Sequence, residues 1–303
     1  MSKSWLELAV EIHPSLVEAV SSFLIEQGSP GVIQAGPLGP AHRKEERIIA
    51  YFANDRGFRA KGKKIRSFLS SVSQLHPGHF TVHHRVIKEE KWAENWKSNF
   101  KPLRITPRLV VKPPWEEYAR DKGELVIEIE PGMAFGTGTH PSTQMCLQEL
   151  EEIVQSSPHF PSMLDVGTGS GILAIAARKL GVGQVLAIDI DPVAIDCARK
   201  NAAINKVDRG IEFRVGSPDG LRQKFNIIVA NLLPQELLKV APFLPKRMSS
   251  RGTLVISGLL RGQEDEMIST FAEQGLQILR SRKSRGWSCL VLRQRVGKKH
   301  GGK

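Results

Sequence analysis

Cysteine is scarce in this 303-residue chain: Cys146, Cys197 and Cys289 lie far apart and form no CxxC pair. That spacing excludes the disulfide framework of small secreted domains and implies a reducing compartment. No stretch approaches the roughly 20 apolar residues of a membrane-spanning helix. The short apolar run in MSKSWLELAVEI is broken by Glu7 and Glu11. A cytoplasmic, soluble protein without a membrane partner is the expectation. Internal repeats and low-complexity tracts are also missing, and no long segment is polar enough to resist folding apart from the tail VGKKHGGK. Acidic residues are in deficit: 31 Asp and Glu against 43 Lys and Arg give a net charge of +12 and a pI near 9.8. An excess of this sign draws phosphate or acidic surfaces and argues for an anionic partner. It is uneven, because Ala241 to Lys303 holds thirteen basic and four acidic residues and supplies +9.

What is present divides the chain in two. Leu6, Leu8, Val10 and Ile12 alternate with polar positions as in a half-buried strand, and Pro14 opens a helix that Gly28 stops. Short apolar stretches follow around Val32 and from Arg47 to Phe52. A second amphipathic helix runs through Ile65, Phe68, Leu69 and Val72, and Phe80 to Ile87 reads as a closing strand. The order βαββαβ predicts a small ferredoxin-like α+β domain over residues 1–87. Residues 88–115 read as a linker containing a helix, in which Trp92 and Trp96 stand one turn apart as packing residues. From Met163 onward strands alternate with helices, which predicts a Rossmann-like, mostly parallel α/β sheet of seven strands in a domain over residues 116–295. The segments LQILRSRK and WSCLVLRQR flank Ser284, Arg285 and Gly286 as an antiparallel hairpin, and residues 296–303 form a disordered basic tail.

The sharpest local feature is Asp165-Val166-Gly167-Thr168-Gly169-Ser170-Gly171, which follows a strand and opens a helix. Glycines there let the backbone approach a ligand, and the helix start offers free N–H donors. The spacing is GxGxG, not the GxGxxG of dinucleotide-binding folds, which favours S-adenosylmethionine over NAD. About twenty residues on, Asp189 ends the next strand with a carboxylate suited to two ribose hydroxyls, while Asp191 before Pro192 suits a helix cap. Asn231 ends the fourth strand and brings an amide to the same edge. Leu232, Leu233 and Pro234 follow it where base-flipping enzymes carry prolines and an aromatic. Upstream, PGMAFGTGTHPST (131–143) reads as a loop that closes over a ligand. The histidines His76, His79, His83 and His84 do not form a zinc site on this reading, because adjacent strand residues point to opposite faces.

The strings PGMAFGTGTHPST, LDVGTGSGILAIAA, AIDIDPVAI and VANLL resemble the ribosomal protein L11 methyltransferase family. The resemblance extends more loosely to WAENWKSNFKPLRI and the N-terminal domain. It implies a class I methyltransferase that uses S-adenosylmethionine to methylate lysine side-chain and α-amino nitrogens of this stalk-base protein of the large ribosomal subunit. It further implies cofactor contacts from Thr143, Gly167, Asp189 and Asn231, with Gly169 and Phe135 close by. Ser142 stands where the family often has threonine, Asn-Leu-Leu replaces Asn-Ile-Leu, and the loop Gly216–Asp219 is less typical. No catalytic base is assigned, with His140 as one candidate. Methylation of RNA, methylation of another protein's lysines and a non-catalytic ribosome-binding module are the alternative readings.

Overall fold

The computed structural model describes residues 4–29, 32–34, 46–54, 58–73, 80–88, 97, 100–131, 136–156 and 160–295. Trp92, Trp96, Gly132 to Phe135, His76, His79 and the tail 296–303 therefore lie outside the described residues. Two compact units result: Met1–Lys101 with Pro131–Met133, and Pro102–Glu130 with Ala134–Lys303.

In the first unit, strands β1 (Ser4–Ile12), β2 (Val32–Gln34), β3 (Glu46–Ala53) and β4 (Thr81–Lys88) form one antiparallel sheet in the order β2-β3-β1-β4. Helices α1 (Val17–Glu26) and α2 (Phe58–Ser73) complete the βαββαβ order. Leu8, Val10 and Ile12 of β1 pack with Val20, Leu24, Ile65 and Leu69 of the helices in one apolar cluster, which is why that strand alternates as it does. Glu7 faces the other way and is buried. Arg85 Nε meets its carboxylate at 2.8 Å and the Tyr51 hydroxyl donates to it at 3.2 Å, so the buried charge is matched.

In the second unit, β5 (Leu103–Arg104), β6 (Leu109–Lys112) and β7 (Leu125–Glu128) form a three-stranded sheet, although the sequence from 103 to 112 reads as part of a connecting segment. The seven-stranded sheet comprises β8 (Ser162–Val166), β9 (Gln184–Asp189), β10 (Ile211–Val215), β11 (Phe225–Asn231), β12 (Met248–Leu260), β13 (Leu276–Ser284) and β14 (Trp287–Gln294), in the order β10-β9-β8-β11-β12-β14-β13. Strands β8 to β12 are mutually parallel, and β14 is inserted antiparallel between β12 and β13. The turn Arg285-Gly286 has positive φ at both residues, as a two-residue hairpin of this hand requires.

Helices α3 (Pro141–Gln155), α4 (Ile172–Leu180), α5 (Pro192–Ile204), α6 (Pro234–Val240) and α7 (Glu264–Glu273) connect or flank these strands. The sheet is apolar on both faces and separates two clusters, one holding Met145, Leu150 and Ile175, the other Leu237, Met267 and Phe271. Burial on both faces explains why the strands read as continuous apolar runs. The outer strand β13 is held by charge: Glu149 of α3, fully buried, accepts from Arg280 Nε at 2.6 Å and from Arg282 Nε at 2.9 Å. No helix among the described residues is long and apolar enough to cross a membrane.

Candidate functional site

The glycine loop sits where β8 hands over to α4. Gly167, Gly169 and Gly171 all have positive φ, the region that costs a side-chain-bearing residue about 1–2 kcal/mol. The amides of Gly167 and Thr168 share the Ile188 carbonyl at 2.9 and 3.0 Å, so the loop is tied to the end of β9. A Cβ on Gly167 would lie 2.2 Å from Leu232 Cδ2, and one on Gly171 would lie 3.0 Å from Ala198 Cβ. Glycine is required here by packing as well as by conformation.

Asp189 is pinned from both sides. Its Oδ2 accepts from the Gly169 amide at 2.9 Å, and its Oδ1 accepts from the Asp191 amide at 3.0 Å. Two backbone donors fix the plane of the carboxylate and leave lone pairs on each oxygen for a ligand. Asp191 is the N-cap of α5, accepting from the Val193 amide at 2.8 Å ahead of Pro192, as its sequence position suggests. Ile190 between them is 74% exposed, and Val215, paired in register with Asp189, is 51% exposed.

Asp165 closes β8 beneath the loop. It is wholly buried, and its Oδ2 accepts from Thr168 Oγ1 at 2.7 Å and from the Ala174 amide at 3.2 Å. Its buried Oδ1 has no hydrogen-bond partner among the described residues. Burial raises this carboxyl from its ordinary value to about 7.

Asn231 and Thr143 come together from β11 and α3, with Asn231 Nδ2 donating to Thr143 Oγ1 at 3.2 Å. With the amide nitrogen so engaged, Oδ1 is the remaining acceptor at the strand's carboxyl end. Leu232 is set by a β-bulge in β12: Gly258 has φ +91°, and a Cβ there would lie 2.1 Å from the Leu232 carbonyl oxygen. Sequence reasoning missed Gly258, although an isolated glycine inside a strand signals a bulge or a close approach.

Two further residues escaped the sequence reading. Asn201 Oδ1 accepts from the Glu130 amide at 2.9 Å, and its Nδ2 donates to the Ser170 carbonyl at 2.9 Å. Asn205, one turn on, accepts from the Glu128 amide at 2.9 Å. Together they fasten α5 to the stretch before residue 131 and to the glycine loop. No sequence signal marks either, because their burial and their partners at Glu128, Glu130 and Ser170 exist only in the fold. On the far side Ser170 Oγ donates to the Gly136 carbonyl at 2.6 Å.

His140 caps α3. Its Nδ1 lies 2.7 Å from Ser142 Oγ, and its ring meets the Trp287 ring edge-on at 4.7 Å between centroids. Burial pushes the imidazole down to about 4, so the ring is neutral at pH 7 and too weak a base for an ammonium of pKa about 10.4. With its folded-state pKa depressed, the ring favours the folded state fully above its unfolded value of about 6.5, and that contribution fades as pH falls toward 4. An NMR titration of the His140 ring protons should accordingly show no protonation near pH 6.5. A midpoint at that ordinary value would contradict the buried cap. Among the described residues no group of His, Cys, Asp and Glu could hold a metal ion.

All four residues singled out from the sequence, Thr143, Gly167, Asp189 and Asn231, thus lie along the carboxyl edge of β8, β9 and β11, with Thr143 brought there by α3. The family model described as ribosomal protein L11 methyltransferase (PrmA) matches residues 4–295. The chain belongs to the ribosomal protein L11 methyltransferase family. A relative with that description from Pelobacter propionicus is 38% identical over 306 residues, covering 97% of this chain and 99% of the relative. One from Geotalea uraniireducens is 38% identical over 312 residues with the same coverage. The crystal structure of ribosomal protein L11 methylase from Lactobacillus delbrueckii subsp. bulgaricus matches with a TM-score of 0.60 at 33% identity, over 64% of this chain and 99% of that one. Membership of this family makes the chain a Rossmann-like class I methyltransferase, which implies S-adenosylmethionine as the methyl donor.

Proposed function

We propose that this protein transfers methyl groups from S-adenosylmethionine to lysine side-chain and α-amino nitrogens of ribosomal protein L11. The observation that carries the reading is the convergence on one sheet edge of a glycine cradle, a pinned carboxylate and an amide whose oxygen is open. The edge from β9 to β11 spans two strand spacings, about 10 Å. Asp189 would hold the ribose hydroxyls, and exposed Ile190 and Val215 offer a flat apolar surface for the base. Gly167 allows the backbone to approach the cofactor, and Asp165 Oδ1 supplies an acceptor for its ammonium group, whose charge would draw that carboxyl back to the ionised form.

When bound, S-adenosylmethionine supplies a methyl group made electrophilic by its sulfonium charge. The chain's own residues then have to orient a neutral amine and exclude water. Asn231 Oδ1 accepts one N–H of the incoming amine and aims its lone pair, while Thr143 Oγ1 holds the amide in that orientation. Leu232 and Leu233 suit the aliphatic stem of a lysine, whereas a flipped base would need an aromatic partner, which the run Leu232-Leu233-Pro234 lacks. Residues 1–87 are assigned to substrate recognition and 88–115 to the connection. The basic surplus is assigned to encounter with the ribosome. The purified chain with labelled S-adenosylmethionine should methylate free L11 without RNA, in mass steps of one methyl group. Label entering naked ribosomal RNA and never free L11 would overturn this reading in favour of RNA methylation.

A further inference from the structure

We infer that the sheet edge opposite the candidate site, where strands β8 to β12 begin, binds the phosphodiester backbone of RNA. Arg222 and Lys224 precede β11, Lys246 and Arg247 precede β12, Arg251 lies two residues before Thr253 in its first half, and Arg295 follows β14. Register brings these positions together. Phe225 pairs with Met248 and Thr253 pairs with Arg293, while β14 runs antiparallel and ends where its neighbours start. All but half-buried Arg247 are exposed.

These six cations share one edge of the sheet and have no carboxylate partner among the described residues. Elsewhere in the unit Arg104 meets Asp121 at 3.1 Å, Arg282 meets Glu149 at 2.9 Å and Lys283 meets Glu264 at 3.0 Å. None of the six forms an ion pair among the described residues. Between Leu221 and Arg251 the one acidic residue is Glu236, in the first turn of α6 at the other edge. That other edge holds more acid than base: Asp189, Asp191, Asp219, Glu236, Glu264 and Asp265 stand there against Arg261, Lys283 and Arg285. Exposed Glu273, just before β13, is an acid at the basic edge, so the two ends differ in the sign of their surplus.

A target made of basic protein and RNA fits that polarity, with protein at the acidic edge and nucleic acid at the basic one. β11 spans seven residues, about 23 Å, well beyond a Debye length of about 8 Å at physiological salt. Charges at the basic edge thus cannot act on the chemistry, only on docking. An anionic membrane fits less well, because surface insertion needs apolar side chains beside the charge. At this edge the exposed large apolar residues among the described ones are Ile278 and Leu279 on the outer strand β13 and Ile204 at the end of α5, to the side of the six cations. Matching the acidic edge to a basic protein rests on the proposed amine methylation; the RNA-binding edge does not.

The test uses the full chain and a K224Q/K246Q/R251Q variant, whose thermal melt should match the parent. The RNA probe is deproteinised large-subunit ribosomal RNA. The parent should bind it with an affinity that falls steeply with salt. The variant should bind on the order of 10-fold more weakly at low salt, and its logarithmic salt slope should be smaller by about 2 to 3. Labelling of free L11 should be equal in the two proteins, while labelling of intact large subunits should slow in the variant. Equal RNA affinity and slope in both proteins would overturn the inference. So would binding of the parent to phosphatidylglycerol vesicles but not to RNA. If neither protein labels free L11, the proposed methylation fails, and the RNA affinities and slopes still decide this inference.

Discussion

Replacing Asn231 by alanine should lower kcat about 100-fold or more while the protein stays folded and still binds S-adenosylmethionine. In the proposed site the amide makes one contact that the transition state needs, an Oδ1 that accepts from the attacking amine. Loss of one preorganised hydrogen-bonding group of this kind costs about 10²–10³ in rate. Asn231 is only half buried, and its loss leaves Thr143 Oγ1, the acceptor of the 3.2 Å bond, with one unfilled lone pair while its own O–H can still donate. The stability penalty should therefore stay near the cost of one neutral hydrogen bond, about 1 kcal/mol. Single-turnover methylation of L11 is the measurement, with cofactor affinity taken by calorimetry. A kcat within about threefold of the parent would remove Asn231 from amine positioning.

Gly258→Ala should be among the most damaging single-methyl additions in the second unit. The added carbon would lie 2.1 Å from the Leu232 carbonyl oxygen and 2.8 Å from its carbonyl carbon, at a residue with φ +91°. Backbone atoms cannot rotate away. The strain of positive φ, about 1–2 kcal/mol, adds to an overpacking cost of about 1–3 kcal/mol. A melting temperature lower by about 10 °C follows for a unit of this size. The Leu232 amide bonds the Ser257 carbonyl at 3.1 Å, so displacing Leu232 also moves Asn231, and methylation should fall with stability. Gly262→Ala is the control: its φ is +95°, but its Cβ would meet nothing within 4 Å. That variant should pay for conformation alone, about 1–2 kcal/mol, and keep its activity. Equal melting temperatures for the two variants would contradict the clash at Leu232.

The sequence patterns that were legible share one property: local spacing determines them. Alternation in β1, the helical stripe through Ile65 and Leu69, and the strand-glycine-helix passage at Asp165–Gly171 are each set by neighbours along the chain. The hairpin at Arg285-Gly286 is legible for the same reason. Residues whose role depends on a partner far away in sequence were not legible. Asn201 reads as an unremarkable helix residue until Glu130 and Ser170 are beside it, 71 and 31 residues away. Gly258 matters because of a carbonyl on another strand. The short β5 and β6 escaped because two and four residues carry too little periodicity to register. His140 shows the converse: its type suggested a base, but burial against Trp287 makes it a neutral cap.

The insertion of β14 between β12 and β13 sets an order of events during synthesis. Strand β13 has no pairing partner in the seven-stranded sheet except β14, which is made after it. Until residues 287–294 leave the ribosome, β13 has no ladder to join, and Arg280 and Arg282 lack the frame that holds them against Glu149. Folding of this unit therefore closes from its C-terminal end.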